Sequence, residues 1–275
     1  MAILYVLWGV ALLSMIAVSF LSTGNVSYRL SRNALEAAQW DAAADAALSR
    51  AVLALLDSRP ERRWRVDGVA QDFMFGDIKM RIAIQDELGR IDLNHADQSL
   101  LGGLFQSAGL GSPAASGLVD KILDWRDANP ARRLNGAKDQ DYRSAGYDYG
   151  PRNAPFQSVD ELKLVMGMSS DLYKRVEPAL TVYSGRQFLD PQFALREALL
   201  ALPTMNANTV AAVMAGRASQ TARAGTIDPA ISLNGRAFSI RTELARADGA
   251  EVREVVVRLT GQPHHPYWVV SWKTR

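Results

Sequence analysis

The sequence contains no cysteine, which excludes disulfide bonds and thiolate metal sites. It has only 3 histidines, His95, His264 and His265, and their spacing is not that of zinc ligands. Charge of one sign is also scarce, because the formal net charge is only +2. This balance gives no indication of a nucleic-acid partner. No G-x-S-x-G motif is present, and we expect a protein that is not an enzyme.

The first 28 residues contain no charged side chain, and the first one is Arg29. About 20 apolar residues in a helix cross the hydrocarbon core of a membrane. A cleaved secretory signal would have a basic start and a shorter apolar run. A buried helix of a soluble protein is the alternative, which the length of the run disfavours. We predict a transmembrane helix at 1–22, with these membrane and assembly side chains: Leu4, Tyr5, Leu7, Val10, Leu12, Leu13 and Ile16.

Proline and glycine are both absent from 28–56, so the helix is predicted to continue beyond the membrane. Leu48, Val52 and Leu55 fall on one helical face. The run Asp57-Ser58-Arg59-Pro60 ends the pattern. We therefore predict one helix of about 55 residues, roughly 80 Å long. Its amphipathic half, at 23–58, is expected to pack on a globular head.

The head reads as strands, then helices, then strands. Asp77–Gln85 alternates apolar and polar residues within a first strand region at 59–93. Over 94–217 the apolar residues recur at the spacing of amphipathic helices. β-branched and aromatic residues return over 218–275, at Arg236–Ala245, Glu251–Leu259 and Tyr267–Trp272. The prediction is an α+β fold, in which a long helix covers an antiparallel sheet and an all-helical domain is inserted into that sheet.

The inserted segment contains three weakly similar helical hairpins, and the first turns at Gly109-Leu110-Gly111. Helix, Gly-hydrophobic-Gly, helix is the helix-hairpin-helix pattern, whose loop amides can hold a DNA phosphate. The stretch Ile91–Val119 resembles that motif in membrane-anchored competence DNA receptors. The other two hairpins lack the paired glycines, and nearby carboxylates would oppose a phosphate backbone. A packing role is favoured, and DNA binding is kept as the alternative.

An acidic segment between 120 and 148 is the best candidate for a metal site. Asp120, Asp124 and Asp127 lie at i, i+4 and i+7, and further oxygen ligands follow at Asn129, Asp139 and Asp141. Oxygen ligands on a loop suit calcium. Lys138 stands where an acidic residue would be expected. The alternative is neutralisation by surface ion pairs, from Arg126, Arg132, Arg133 and Arg143.

Several stretches together point to one family. A long N-terminal helix on a small antiparallel sheet resembles the architecture of type IV pilins. With a helical insertion in that sheet, the chain resembles the minor pseudopilin K family of type II secretion systems. The stretches that carry the resemblance are Asp86–Asn94, Ile122–Asp127, Asn135–Ala137, Arg152–Phe156 and Val159–Leu162.

The resemblance implies a subunit at the tip of a secretion pseudopilus, which nucleates its assembly and supports protein export across the outer membrane. It implies a single-pass inner-membrane protein with a periplasmic head. The implied partners are other minor pseudopilins, the major pseudopilin, the inner-membrane secretion platform and, for a precursor, the prepilin peptidase. Calcium binding in the inserted domain is also implied, whereas nucleic acid is not an expected partner.

Two features of the N-terminus matter for this resemblance. Arg29 and Arg32 follow the apolar run and by themselves would favour a cytoplasmic head. A basic leader of the kind that pilin precursors carry would set the opposite topology, and we expect the sequence to represent the processed form or an internal start. Major pseudopilins have glutamate at the fifth mature position, where this chain has Tyr5. A tip subunit has no neighbour ahead of it and needs no carboxylate there.

Overall fold

The computed structural model describes residues 2–57, 59, 62–219, 232–246 and 249–274. Helix α1 (Ala2–Leu56) is continuous over 55 residues, so the predicted single helix is confirmed. Of the predicted stop signal, Ser58 and Pro60 lie outside the described residues. Asp57, directly after the end of the helix, accepts a hydrogen bond from the Arg59 backbone N–H at 3.0 Å.

Five antiparallel strands form the main sheet, in the order β1-β2-β5-β6-β7. A separate parallel pair, β3 with β4, was not predicted. The strands are β1 (Asp67–Phe75), β2 (Ile78–Asp86), β3 (Ile91–Asp92), β4 (Leu180–Thr181), β5 (Ala237–Arg246), β6 (Gly249–Gln262) and β7 (His265–Thr274). The last two are longer than the sequence indicated, because backbone pairing in β6 continues past the apolar positions.

The second half of α1 covers one face of the main sheet. Ala43, Ala47 and Ala51 are fully buried there, and their small side chains bring the helix close to the strands. Alternate residues of the strands meet them, for example Ile82 on β2 and Ile240 on β5. This core is predicted by the alternation within β2, whose polar residues point to the other face.

The segment between β2 and β5 is mainly helical. Its helices are α2 (Gln98–Ser107), α3 (Ser112–Arg126), α4 (Asp139–Ser144), α5 (Ser170–Val176), α6 (Arg196–Leu199) and α7 (Ala207–Ser219). Shorter 3₁₀ turns lie at Glu87–Gly89, Val159–Leu164 and Glu177–Ala179. These elements enclose a hydrophobic core of their own, separate from the one beneath α1. Because β2 pairs with β5, the helical segment is inserted between two neighbouring strands.

Polar contacts join the inserted segment to the sheet. Asp86, at the end of β2, is fully buried and forms an ion pair with Arg236. Burial raises the pKa of Asp86 to about 6, and the opposing charge of Arg236 limits this rise. Next to it, Ser239 on β5 donates a hydrogen bond to the buried Glu87. The exact domain boundaries stay a prediction, and residues 220–231 of the predicted C-terminal region lie outside the described residues.

Candidate functional site

The first half of α1 is apolar and uncovered. Its segment Ala2–Ser19 has a mean hydropathy of 2.2, and none of it is buried by the rest of the molecule. The predicted assembly side chains are all exposed, with Tyr5 at 77%. The alternative of a buried core helix therefore does not hold. By length and composition this helix is suited to be a single membrane anchor.

The predicted carboxylate face of α3 is not a solvated surface. Asp120 and Asp124 are buried, with exposures of 7% and 0%. Asp124 Oδ1 accepts a hydrogen bond from Arg133 Nη1 at 3.0 Å, and its Oδ2 accepts one from the Arg133 backbone N–H at 3.1 Å. Asp120 Oδ2 accepts the Asn135 backbone N–H at 3.1 Å. The two carboxylates thus fold the loop after α3 back onto the helix.

Two further predicted ligands, Asp127 and Asn129, also accept hydrogen bonds from protein donors. Asp127 accepts the Asn129 backbone N–H at 3.0 Å and lies 3.3 Å from Arg133 Nη1. The bond from Asn129 lowers the pKa of Asp127, and Arg133 lowers it further. Asn129 Oδ1 accepts the Ala131 backbone N–H at 3.0 Å.

Asp139 and Asp141 lie on the first turn of α4. Asp141 accepts the backbone N–H of Lys138 at 2.9 Å and pairs with Arg132 at 3.0 Å. Asp139 is exposed at the start of the helix, where a Cβ on Gly150 would lie 2.2 Å from its Oδ1. Asp141 therefore stabilises the start of α4.

Lys138 brings a positive charge into the middle of this segment. Its Nζ donates to the backbone oxygens of Asp124 at 2.7 Å and Asp127 at 2.8 Å, and to Asn153 Oδ1 at 3.1 Å. Arg133 is close by, and although burial lowers its pKa, the bonds to Asp124 and Asp127 raise it overall. Arg133 therefore neutralises the carboxylates of this region, and Lys138 donates hydrogen bonds to its free carbonyls.

The residues present do not fit a calcium site. Across the described residues, which include all six predicted ligands, no group of three or more Asp, Glu or His side chains could hold a metal ion. Gly136 is packed so closely that a Cβ there would lie 1.8 Å from Asp124 Oδ2, so the backbone occupies that side of the carboxylate. The geometry favours the ion-pair alternative, although the pairs are partly buried where surface pairs were expected.

Trp125 anchors the same region from inside. It is buried, and its ring stacks on the Phe156 ring with the two ring centroids 6.1 Å apart. The centroid of the Tyr142 ring lies 6.0 Å from that of Trp125. The Tyr142 hydroxyl accepts the Met166 backbone N–H at 3.0 Å, and burial raises its pKa to about 12. Trp125 is thus a core residue of the inserted segment.

Arg126 has a different role from the one expected. Its Nη2 donates to the Ala96 carbonyl at 2.9 Å, and its Nη1 donates to the Leu93 carbonyl. The guanidinium therefore ties α3 to the chain before α2 instead of neutralising a carboxylate. Sequence reasoning missed this contact, because backbone carbonyls leave no signal in the sequence.

The first helical hairpin is present, with α2 and α3 joined through Gly109 at φ +99°. Leu110 between the glycines packs against the helical core. The charge argument against DNA binding needs correction, because Asp120 and Asp124 are buried and do not face a ligand at this loop. The remaining argument against DNA binding comes from the comparison of the chain with known proteins.

Residues 83–185 match the family model of type II secretion system (T2SS) protein K. A 61-residue stretch is 39% identical to type II secretion system protein K of Klebsiella pneumoniae. A 68-residue stretch is 35% identical to the corresponding protein of Dickeya chrysanthemi. The resemblance to the protein K family is confirmed. These alignments cover 22% and 25% of this chain, and 19% and 18% of those two proteins, about a fifth of their length.

A solved structure has the same fold over most of the chain. It is the GspK–GspI–GspJ complex from the type 2 secretion system of enterotoxigenic Escherichia coli. The match covers 90% of this chain and 98% of the matched chain in that complex, with a TM-score of 0.62 and 16% sequence identity. At this identity the likeness concerns the fold, and it confirms the predicted long helix, antiparallel sheet and helical insertion. The comparisons give no support to the DNA-binding alternative.

Proposed function

We propose that this chain is a minor pseudopilin that stands at the tip of a type II secretion pseudopilus. There it nucleates assembly and supports protein export across the outer membrane. The match of residues 83–185 to protein K carries the proposal. The shared fold supports the proposal over a larger part of the chain. The proposed function is a binding role without catalysis.

The exposed side of α1 supports partners that contribute helices of their own. Beyond the apolar span, Tyr28, Leu30 and Leu35 remain exposed, because the head covers α1 only from about Ala43 onward. Apolar side chains between a membrane and a head are suited to packing against neighbouring helices. The solved relative is a complex of GspK with GspI and GspJ, which supports two other minor pseudopilins as partners.

The proposed location is the inner membrane, crossed once by α1, with the head in the periplasm. The major pseudopilin and the inner-membrane platform complete the proposed set of partners, together with the prepilin peptidase for a precursor. The exposed apolar segment Ala2–Ser19 supports the anchor. Protease protection of the head in spheroplasts and in inverted vesicles tests its orientation.

Deletion of the gene in its own host, followed by complementation, tests the function. Proteins exported by the secretion system should accumulate in the periplasm of the deletion strain, and the full chain should restore their release. A truncated chain that lacks residues 1–22 is the matched control and should not restore it, because it has no anchor. Normal release from the deletion strain would overturn the proposal.

A further inference from the structure

Lys138 stands where an acidic metal ligand would have been expected, and its side chain carries the opposite charge. It precedes α4, and its side chain extends back to the end of α3. There its Nζ lies 2.7 and 2.8 Å from the backbone oxygens of Asp124 and Asp127, and 3.1 Å from Asn153 Oδ1. All three protons of the ammonium group therefore have an oxygen partner.

Two of these oxygens belong to the C-terminal end of α3. The last carbonyls of a helix have no intrahelical partner, and they carry the negative end of the helix dipole. A cation at this position satisfies both requirements at once. In other proteins a side chain, water or a metal ion can supply those contacts. Here the side chain of Lys138 supplies them.

The third oxygen joins another segment of the chain. Asn153 has a left-handed backbone conformation, with φ 53°. Among the described residues it is the one non-glycine residue with a positive φ. Its Nδ2 donates to the Pro151 carbonyl at 3.2 Å, which orients the amide so that Oδ1 faces Lys138. The ammonium thus links the end of α3, the start of α4 and the loop at Asn153.

We propose that Lys138 is a tethered cation that closes this loop in place of calcium, so that the helical domain of this chain folds without the metal. A divalent ion at the same oxygens would lie within about 3 Å of the ammonium group, and like charges at that distance repel. Arg133 neutralises the carboxylates of Asp124 and Asp127, which would otherwise attract such an ion. The calcium that the family resemblance implies therefore has no place here.

The test uses the full chain in detergent, with thermal unfolding followed by circular dichroism and hydrogen exchange measured over 127–153. Unfolding of the native chain should give the same Tm in millimolar calcium and in chelator. Lys138→Met should lower Tm by about 5 °C, since a charge-assisted network is lost, and should speed exchange over 127–153. Neither effect should depend on calcium. Lys174→Met, at an exposed position on α5, is the control and should leave both measurements unchanged.

A second variant tests the cation position itself. Lys138→Glu places a carboxylate beside three oxygens that have lost their cation, which creates an oxygen ligand set of the kind calcium prefers. Its exchange over 127–153 should be fast in chelator and slower in calcium. A higher Tm of the native chain in calcium would overturn the proposal. So would a Lys138→Met variant as stable as the native chain, or a Lys138→Glu variant that does not respond to calcium.

Discussion

Lys273 on β7 donates a hydrogen bond of 2.6 Å to Asp160 Oδ2, and so links the last strand of the sheet to the inserted helical segment. Asp160 also accepts hydrogen bonds from Lys163 at 2.7 Å and from the Tyr173 hydroxyl at 2.9 Å. The bond from Lys163 lowers the pKa of Asp160 most, and the bond from Lys273 lowers it further. Because this contact depends on the charge of Asp160, the stability of the junction between the sheet and the inserted segment should depend on pH.

Asp160→Asn should therefore reduce stability in a pH-dependent way. A carboxylate whose pKa is lowered by folding stabilises the folded state above its unfolded pKa, and this contribution is lost as the pH falls through its folded pKa. The group is partly exposed, so the loss at pH 7 should be about 0.2–1 kcal/mol. The difference between native chain and variant should shrink below the ordinary pKa of 3.8. Denaturant unfolding at several pH values measures this.

Asp72→Asn is the control for that experiment, because Asp72 pairs with the exposed Lys79 within the sheet and does not contact the inserted segment. It should change stability less at every pH. A stability difference for Asp160→Asn that grows on acidification would contradict the assignment.

Two adjacent glycines of α2 should respond in opposite ways to alanine. A Cβ on Gly103 would lie 2.1 Å from the Ala201 carbonyl oxygen, whereas a Cβ on Gly102 would meet no atom within 4 Å. Gly103→Ala should therefore cost about 1–3 kcal/mol by overpacking. Gly102→Ala should be neutral or stabilise by up to about 1 kcal/mol, because alanine is the better helix former. Equal effects in chemical denaturation would show that α2 does not pack on the Ala201 backbone.

Asp124 and Asp127 share Arg133 but differ in burial, which gives a matched pair. Asp124→Asn should cost about 2 kcal/mol, because a buried charged contact loses one partner while Arg133 stays partly buried. Asp127 is 38% exposed at its side chain, and Asp127→Asn should cost less than about 1 kcal/mol. Unfolding in chelator should give the same two values as unfolding in calcium. A larger loss for Asp127 would contradict the geometry of the loop.

Tyr5→Glu should impair secretion. A carboxylate in the apolar span is costly unless it is paired, and a subunit at the tip has no neighbour ahead of it to supply an amine. Secretion should fall in a complementation assay, and less of the chain should be recovered with its partners. Tyr5→Phe is the control, since it keeps the span Ala2–Ser19 apolar. Unchanged secretion with Tyr5→Glu would argue against a position confined to the tip.

The elements with a regular pattern could be predicted from the sequence. The absence of charge from the first 28 residues, and of proline and glycine from 28–56, predicted α1, and the alternation of β2 predicted its buried face. The pairing of β3 with β4 could not be predicted, because each strand has two residues and they lie about 90 positions apart. Such short strands form only when the surrounding helices bring them together.

The candidate metal segment could be predicted only in part. The i, i+4, i+7 spacing correctly placed Asp120 and Asp124 on one side of α3, but α3 ends at Arg126 and Asp127 has an extended backbone. The spacing also could not show that the following loop folds back and buries the first two carboxylates. Their main partners are backbone N–H groups and Arg133, which lie 9 to 15 residues further along. Lys138 stands where the sequence pattern predicts an acidic residue, and its contact with the Asp124 carbonyl accounts for the lysine.

Co-purification tests the proposed tip function most directly. The full chain, extracted in mild detergent, should elute as a stoichiometric complex with the two other minor pseudopilins of the same secretion system. The complex should survive high salt, because apolar helix faces hold it together. Elution of the chain separately from both partners at micromolar concentrations would contradict the proposal.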